Sequence, residues 1–584
     1  MQRAVWRATA GNGSQTHLCM IYFAEWASAE VKSGITLPHM SRTQFPRLLR
    51  RVAQVIVSLL ATFSLKSIVV ETPKTEANRP IEITFTAQRP HADPFATVDL
   101  DVIFRSPDGV EARVPAFWSG NDRWKVRYAS PKVGVHCYRT VCGAKDDAGL
   151  HDCEGTLEIT PSTATNLLFR HGPLRVAPDH RHFEHADGTP FLWLGDTWWK
   201  GLCKRIDLSG FEELCADRAA KGFNVVQIVC GPYPDENMLL PRWENEAGMP
   251  YTTLDFRAVN PAYFDAADRR IDMLIKHGIV PAIVGGWGRP QAGGRSTIEQ
   301  VGLEGFQRHW RHLIARYGAA PVVWILGGEA SDDNGPWAAL ADYVRTTDPY
   351  HRSLTYHAPG DPRTTIRSGN ERFDFDMIAI GHDGLNVANE TLRVLRGTLA
   401  QSPARPALCG EACYERHMQT NFEDVQRHLF WTLMLSGAAG HTYGAAGIWH
   451  ASVEGDPGIS PVYDFTTWRA GMHFPGATQL GLAKKLLEQL PWQRMEPHPD
   501  WVDASVFAAG IPGELVVVYL PKRGLYDWSG FRLHQLDPKV LYTACWFDPA
   551  SGRRFELGPV TGASEWSTPS VPSPQDWVLL LRKG

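Results

Sequence analysis

Several signatures are scarce or missing from this 584-residue sequence, and each absence removes a class of function. Lysine and arginine are scattered and the formal net charge is −4. The basic stripe that grips a phosphate backbone is therefore missing, and nucleic acid is excluded as a partner. There is no glycine-rich phosphate loop, no HExxH and no CxxC pair, so neither a nucleotide cofactor nor structural zinc is expected. The ten cysteines are too few for a disulfide framework. Only Cys142 and Cys153, which flank the polar stretch 143–152, could face each other across a hairpin, as a bridge or as two free thiols. No apolar run reaches the roughly 20 residues that span a bilayer. The nearest approach is Val52–Leu65, preceded by Arg42, Arg47, Arg50 and Arg51. A basic stretch before a short apolar run has the form of an export signal, with Met40 as an alternative start to Met1. The expected location is accordingly secreted or periplasmic, the alternatives being a membrane anchor or a cytoplasmic chain.

What the sequence does hold is organised in blocks. Its length suggests about three domains. Residues 1–66 lack periodicity and are expected to lie outside the folded enzyme. Over 68–162, short alternating segments such as IEITFTA, RWKVRYA and GTLEIT are separated by turn signals like SPDG, which predicts a β-sandwich. Over 173–490 the pattern changes to apolar β runs alternating with helical stretches. Eight such runs can be counted: FLWLGD, NVVQIV, VPAIVGGW, PVVWILGG, SLTYH, DMIAIG, PALCGE and HTYG. Helices are predicted over 208–221, 261–277, 298–317, 337–347, 389–399 and 425–435, and the fifth unit has the weakest helix. This is the layout of a (β/α)8 TIM barrel. Residues 491–584 return to short strands, a second β-sandwich.

In such a barrel, chemistry sits where strands end. The residues closing the β runs are Asp196 with Trp198 and Trp199, Gln227 and Tyr233, Trp287, Glu329, His357, His382 with Asp383, Glu411 with Tyr414, and Tyr443 with Trp449. They form a ring of acids and aromatics. No HxH follows the first of these runs, which argues against a metal-dependent hydrolase, and no metal site is expected. Glu329 and Glu411 close the fourth and seventh runs. Opposed carboxylates are what glycosidic cleavage requires, one to protonate the leaving oxygen and the other to stabilise or capture the oxocarbenium-like centre. The 21 tryptophans suit stacking on the apolar faces of sugars, although most are expected in the core.

The stretches FEHADGTPFLWLGDTWWKGL, WILGGE, GEACYE and HTYGAAGIW resemble the apiosidase-like glycoside hydrolases, TIM-barrel enzymes of a retaining clan. ADPFATVDLDVIFRSPDG resembles their N-terminal sandwich, and VVVYLPKRG with ACWFDPASGRRF their C-terminal one. The likeness runs over about 75–584. It implies that Glu329 is the acid/base, that Glu411 is the nucleophile, and that Asp196, Trp198, Trp199, His382 and Tyr443 line the sugar pocket. It implies a carbohydrate partner, such as a pectic, apiose-bearing side chain, and no cofactor. Clan members usually carry Asn before the strand-four acid to hold the sugar 2-hydroxyl, and this chain has Gly328 there. The alternative to an enzyme is a non-catalytic carbohydrate-binding or cell-surface protein on the same barrel. Adhesion to collagen through the C-terminal sandwich has only a family label behind it.

Overall fold

The computed structural model describes residues 72–584 except 232, 234–239, 289–294, 330–335, 366–369, 456–465, 504 and 526. The expected leader over 1–66 lies outside the described residues. Eight parallel strands close into a barrel: β1 (Trp193–Thr197), β2 (Val225–Val229), β3 (Val280–Val284), β4 (Val323–Gly328), β5 (Leu354–Pro359), β6 (Asp376–Gly381), β7 (Ala407–Ala412) and β8 (Gly440–Tyr443). The first four are buried along their whole length, as a parallel sheet covered on both faces requires. The covering helices are α1 (Leu208–Ala220), α2 (Pro261–Lys276), α3 (Thr297–Tyr317), α4 (Trp337–Thr347), α5 (Pro362–Thr365), α6 (Gly384–Leu399), α7 (Glu423–Met434) and α8 (Pro475–Leu487). The weak helical pattern of the fifth unit emerges as the short α5. A capping box between Ser296 and Glu299 starts α3, satisfying N–H groups that the first turn leaves open.

Before the barrel, the strands between Lys74 and Thr160 form a five-stranded and a three-stranded sheet. Alternate residues, among them Leu100, Val102, Phe104, Trp124, Val126, Leu157 and Ile159, meet in one core, following the two-residue period of a half-buried strand. Cys142 is in that core as a free thiol, and Cys153 is also unbridged, its Sγ donating to the Ala148 carbonyl at 3.5 Å. The unit is tied to the barrel through charge. Arg127 donates to Asp268 on α2 at 2.5 Å, and Arg311 on α3 donates to Asp101 at 2.6 Å. A three-stranded sheet (Leu174–Val176, Phe183–His185, Pro190–Phe191) follows. Its Phe183 ring packs against Trp193 and Phe375, at the starts of β1 and β6, and so seals the end of the barrel opposite the site.

After the barrel comes a six-stranded sheet spanning Glu496 to Lys583, with a two-stranded sheet beside it. Its central strand Leu515–Leu520 shows what fixes its position. Leu515, Val517 and Tyr519 join the barrel core, whereas Val516, Val518 and Leu520 join the core of the C-terminal unit. Asp576 pairs with Arg427 of α7 at 2.7 and 2.8 Å and accepts from the Tyr519 hydroxyl. Buried apolar area and a satisfied ion pair thus hold this sheet on the barrel.

Candidate active site

Strand β4 is irregular at its end. Its pairing with β5 slips between Ile325 and Gly328, and the Glu329 N–H donates to the His357 carbonyl at 2.7 Å. Glu329 then adopts φ +48°, a left-handed conformation that costs a non-glycine residue on the order of 1–2 kcal/mol. Strain of this kind is kept where it re-aims a side chain. Gly328 has its own reason. A Cβ there would lie 2.0 Å from the Trp287 ring, so only glycine lets the indole lie against the strand. From that seat Trp287 Nε1 reaches 3.4 Å from Glu329 Oε2.

Strand β7 slips against β6 around Ala379, the residue paired with Glu411. Such bulges recur beside active sites and turn side chains inward. The Glu411 carboxylate meets two imidazoles: Oε1 lies 3.1 Å from His382 Nε2, and Oε2 lies 3.1 Å from His357 Nε2. His382 Nδ1 accepts from the Tyr414 N–H at 3.1 Å. Nδ1 therefore carries no proton, and Nε2 is the donor to Glu411. Burial works against ionisation of Glu411, but the two histidines outweigh it and hold its carboxyl well below the usual range.

Aromatic rings wall this pair. Trp199 meets Trp287 at 5.4 Å and His357 at 5.2 Å, both edge-on, and Trp287 lies 5.9 Å from His357. The two glutamates are thereby linked through Trp287 and His357. On the other side, His382 packs on Tyr414 at 4.4 Å, and Trp449 lies 6.3 Å from Tyr414. Of the residues singled out in the sequence, the structure brings together Glu329, Glu411, Trp199, Trp287, His357, His382, Tyr414 and Trp449.

Asp196, Trp198, Tyr233 and Tyr443 sit in the wall. Asp196 accepts from Arg218 of α1 at 2.6 Å and from Trp198 Nε1 at 2.8 Å, all three residues being fully buried. Trp198 packs edge-on against Phe211, also on α1. The Tyr443 hydroxyl donates to Glu415 at 2.5 Å, and its ring contacts Phe223. Tyr233 is buried 5.9 Å from Trp243. The chain leaves β1 at Thr197 and turns over 198–201, the Gly201 N–H meeting the Trp198 carbonyl at 2.9 Å, and this turn sets Trp199 toward the mouth and Trp198 toward the helices.

An apiosidase-like catalytic-domain profile matches residues 177–494, which hold the whole barrel and both glutamates. The chain belongs to the apiosidase-like family. It is a glycoside hydrolase, and family membership implies a carbohydrate substrate. A domain family of unknown function, DUF5060, matches residues 74–143. Comparison with curated protein sequences gave no match. Among solved structures, a glycoside hydrolase is 21% identical with a TM-score of 0.61, covering 72% of this chain and 99% of its own. A family 5 glycoside hydrolase from Bacteroides vulgatus ATCC 8482 is also 21% identical, with a TM-score of 0.60 and coverage of 72% and 95%. A protein of inferred glycoside-hydrolase type from the same organism is 18% identical, with a TM-score of 0.68 and coverage of 88% and 100%. At these identities the likeness establishes the fold.

The structure adds residues to this apiosidase-like site that the sequence did not single out. His417 is buried between His382 (4.6 Å) and Trp449 (5.7 Å), and burial pushes its pKa down to about 4. Glu415 and Arg218 join the wall network. His417 lies on an irregular turn after β7, where no strand or helix period marks a side chain as inward. Among the described residues, no helix is long and apolar enough to cross a membrane.

Proposed function

We propose that this apiosidase-like enzyme is a retaining glycosidase with Glu329 as acid/base and Glu411 as nucleophile, acting on apiose-bearing pectic side chains. The observation that carries the reading is the seat of Glu411, held ionised between the His382 Nε2–H and His357. A carboxylate held as an anion at the mouth by two imidazoles is prepared to attack an anomeric carbon. Glu329, beside the Trp287 indole, is the proton donor in this reading. It would give that proton to the departing oxygen as Glu411 forms the glycosyl–enzyme ester. Glu329 would then take a proton from the water that cleaves the ester, restoring both groups. Trp199, Trp287 and Trp449 offer ring faces and edges to the C–H surface of the sugar. An apiose-type sugar is supported by the family match.

The test is incubation with a panel of pectic polysaccharides, with released sugars identified by chromatography and the anomer formed first read by NMR. Apiose released with retained configuration is expected, together with a carboxyl separation of about 5–5.5 Å in a crystal structure. First-formed product of inverted configuration, or a separation of roughly 6.5–9.5 Å, would replace attack by Glu411 with attack by water.

A further inference from the structure

The turn after Glu411 stores unusual backbone. Cys413, Arg416, Met418, Gln419 and Asn421 all have φ between +49° and +61°. Five non-glycine residues in the left-handed region within nine positions persist only if their surroundings over-determine them. The contacts of Asn421 show what the conformation achieves. Its side chain is buried and spans two loops: Nδ2 donates to the His382 carbonyl at 2.8 Å, and Oδ1 accepts from the Gly384 N–H at 2.9 Å. The same two loops are joined by the Cys413 N–H on the Gly381 carbonyl at 2.7 Å. Asn421 grips the backbone of His382 itself while also holding the start of α6.

We infer that Asn421 is a positioning residue for hydrolysis: it locks His382 so that Nε2–H stays aimed at Glu411. The inference rests on the nucleophile assignment above. His382 has one proton to donate from Nε2, because Nδ1 is committed to the Tyr414 N–H. Both bonds of the ring run to the β7 side, so the ring keeps its aim only while the β6 loop holds its place against the β7 turn. The two Asn421 bonds fix that relation at His382 and Gly384, beside the Cys413 N–H on Gly381 and the Cys413 Sγ on the Gly384 carbonyl at 3.3 Å. An amide is the right group, since one carbonyl must be met by a donor and one N–H by an acceptor. Asparagine is also the side chain that tolerates φ +59° with least cost.

Asn421→Gly removes both bonds yet keeps the backbone conformation accessible. In a crystal structure of that full-length variant, the His382 Nε2 to Glu411 Oε1 distance should exceed 3.5 Å. On 4-nitrophenyl apioside, kcat should fall about 100-fold, the penalty for a misplacement of ~1 Å, with KM little changed. The acid limb of the pH profile should move to higher pH, because a loosened donor no longer favours the Glu411 anion. In a His382→Ala background, Asn421→Gly should cause no further loss, since residues acting as one unit are not additive. His382 unmoved in the variant would show that its packing on Tyr414 and His417 suffices, and would overturn the inference. So would a loss that persists in the His382→Ala background. If Asn421→Gly does not fold, Asn421→Asp keeps the acceptor and loses the donor, and the same crystallographic distance decides. Full activity in Glu411→Gln would instead defeat the nucleophile assignment, leaving the geometric result on Asn421 readable by itself.

Discussion

Glu411 and Glu415 stand four residues apart on one segment, both are shielded from solvent, and their acidities move in opposite directions. Glu411 meets two imidazoles at the mouth and is held well below the usual carboxylate range. Glu415 lies in the wall, and burial pushes it up to about 7, with the Tyr443 hydroxyl and the Gly476 N–H at the start of α8 only partly offsetting that. Burial raises both, so it does not distinguish them. The partners do: two imidazoles, His382 after β6 and His357 on β5, stabilise an anion, whereas one phenol and one amide leave the proton in place. The mouth presents its acid as an anion, and this point of the wall keeps its acid close to neutral.

The sharpest way to break this contrast is to neutralise each acid in turn. Glu411→Gln should lower turnover by several orders of magnitude, and so should Glu329→Gln, with the barrel intact by circular dichroism. Glu415→Gln should leave kcat within a few-fold of the parent. Retained activity in Glu411→Gln alongside loss in Glu415→Gln would exchange the roles of the two networks.

Next in size is the wall itself. Trp198 is fully buried against Phe211 with its N–H on Asp196, so Trp198→Ala should cost about 3–5 kcal/mol of stability. Trp199→Ala should cost less stability and should raise KM. Equal losses of stability with KM unchanged for both would remove Trp199 from the sugar site.

A third effect depends on pH. The Glu415 pKa is raised from 4.5 to about 7 in the folded state. The folded protein therefore holds this proton where the unfolded chain has lost it. The resulting stability is complete below 4.5 and disappears as pH rises through about 7, a change on the order of 3 kcal/mol. Glu415→Gln should abolish that slope, so that its melting temperature relative to the parent rises between pH 5 and pH 8. Glu411 has the opposite sign. Its depressed pKa contributes stability above 4.5 that is lost as pH falls, so the deficit of Glu411→Gln should shrink in acid. Parallel pH curves for the two variants would end the comparison.

The barrel was legible because its strands are buried on both faces and so read as continuous apolar runs, and because Glu329 and Glu411 close two of them. Strand counting also found His357 and His382. It did not tell Trp198 from Trp199, because both lie in the turn that follows β1, where no strand period assigns a side chain to one face and the contacts that decide are tertiary. Asp196 and Tyr443 close strands just as Glu329 does, yet their partners, Arg218 on α1 and Glu415 after β7, are set by how helices pack on the barrel. Asn421 gave no signal. It sits in a turn, and its importance lies in two backbone groups 37 and 39 residues away.

The smallest expected effect tests the mouth from its other side, at the position where the family resemblance departs. Gly328 looks like a lost contact, a hydroxyl-binding side chain that has become a hydrogen atom. The packing gives a different account, because the Trp287 ring occupies the space in which any side chain at 328 would begin, with three of its carbons 2.0 to 2.5 Å from the Cβ position. A buried indole wedged between Trp199 and His357 cannot yield that distance without moving. If it moves, it carries away the N–H that faces Glu329 Oε2. Gly328→Ala should therefore disturb the acid rather than the sugar contact. A loss of about 2–3 kcal/mol in transition-state stabilisation is expected, mainly in kcat, because a displaced acid acts on leaving-group departure more than on binding. Substrates with a good leaving group, such as dinitrophenyl glycosides, need little protonation and should be spared. If Gly328→Ala raised KM and slowed activated and natural substrates equally, position 328 would belong to sugar recognition, and Trp287 would be a platform rather than a guide for Glu329.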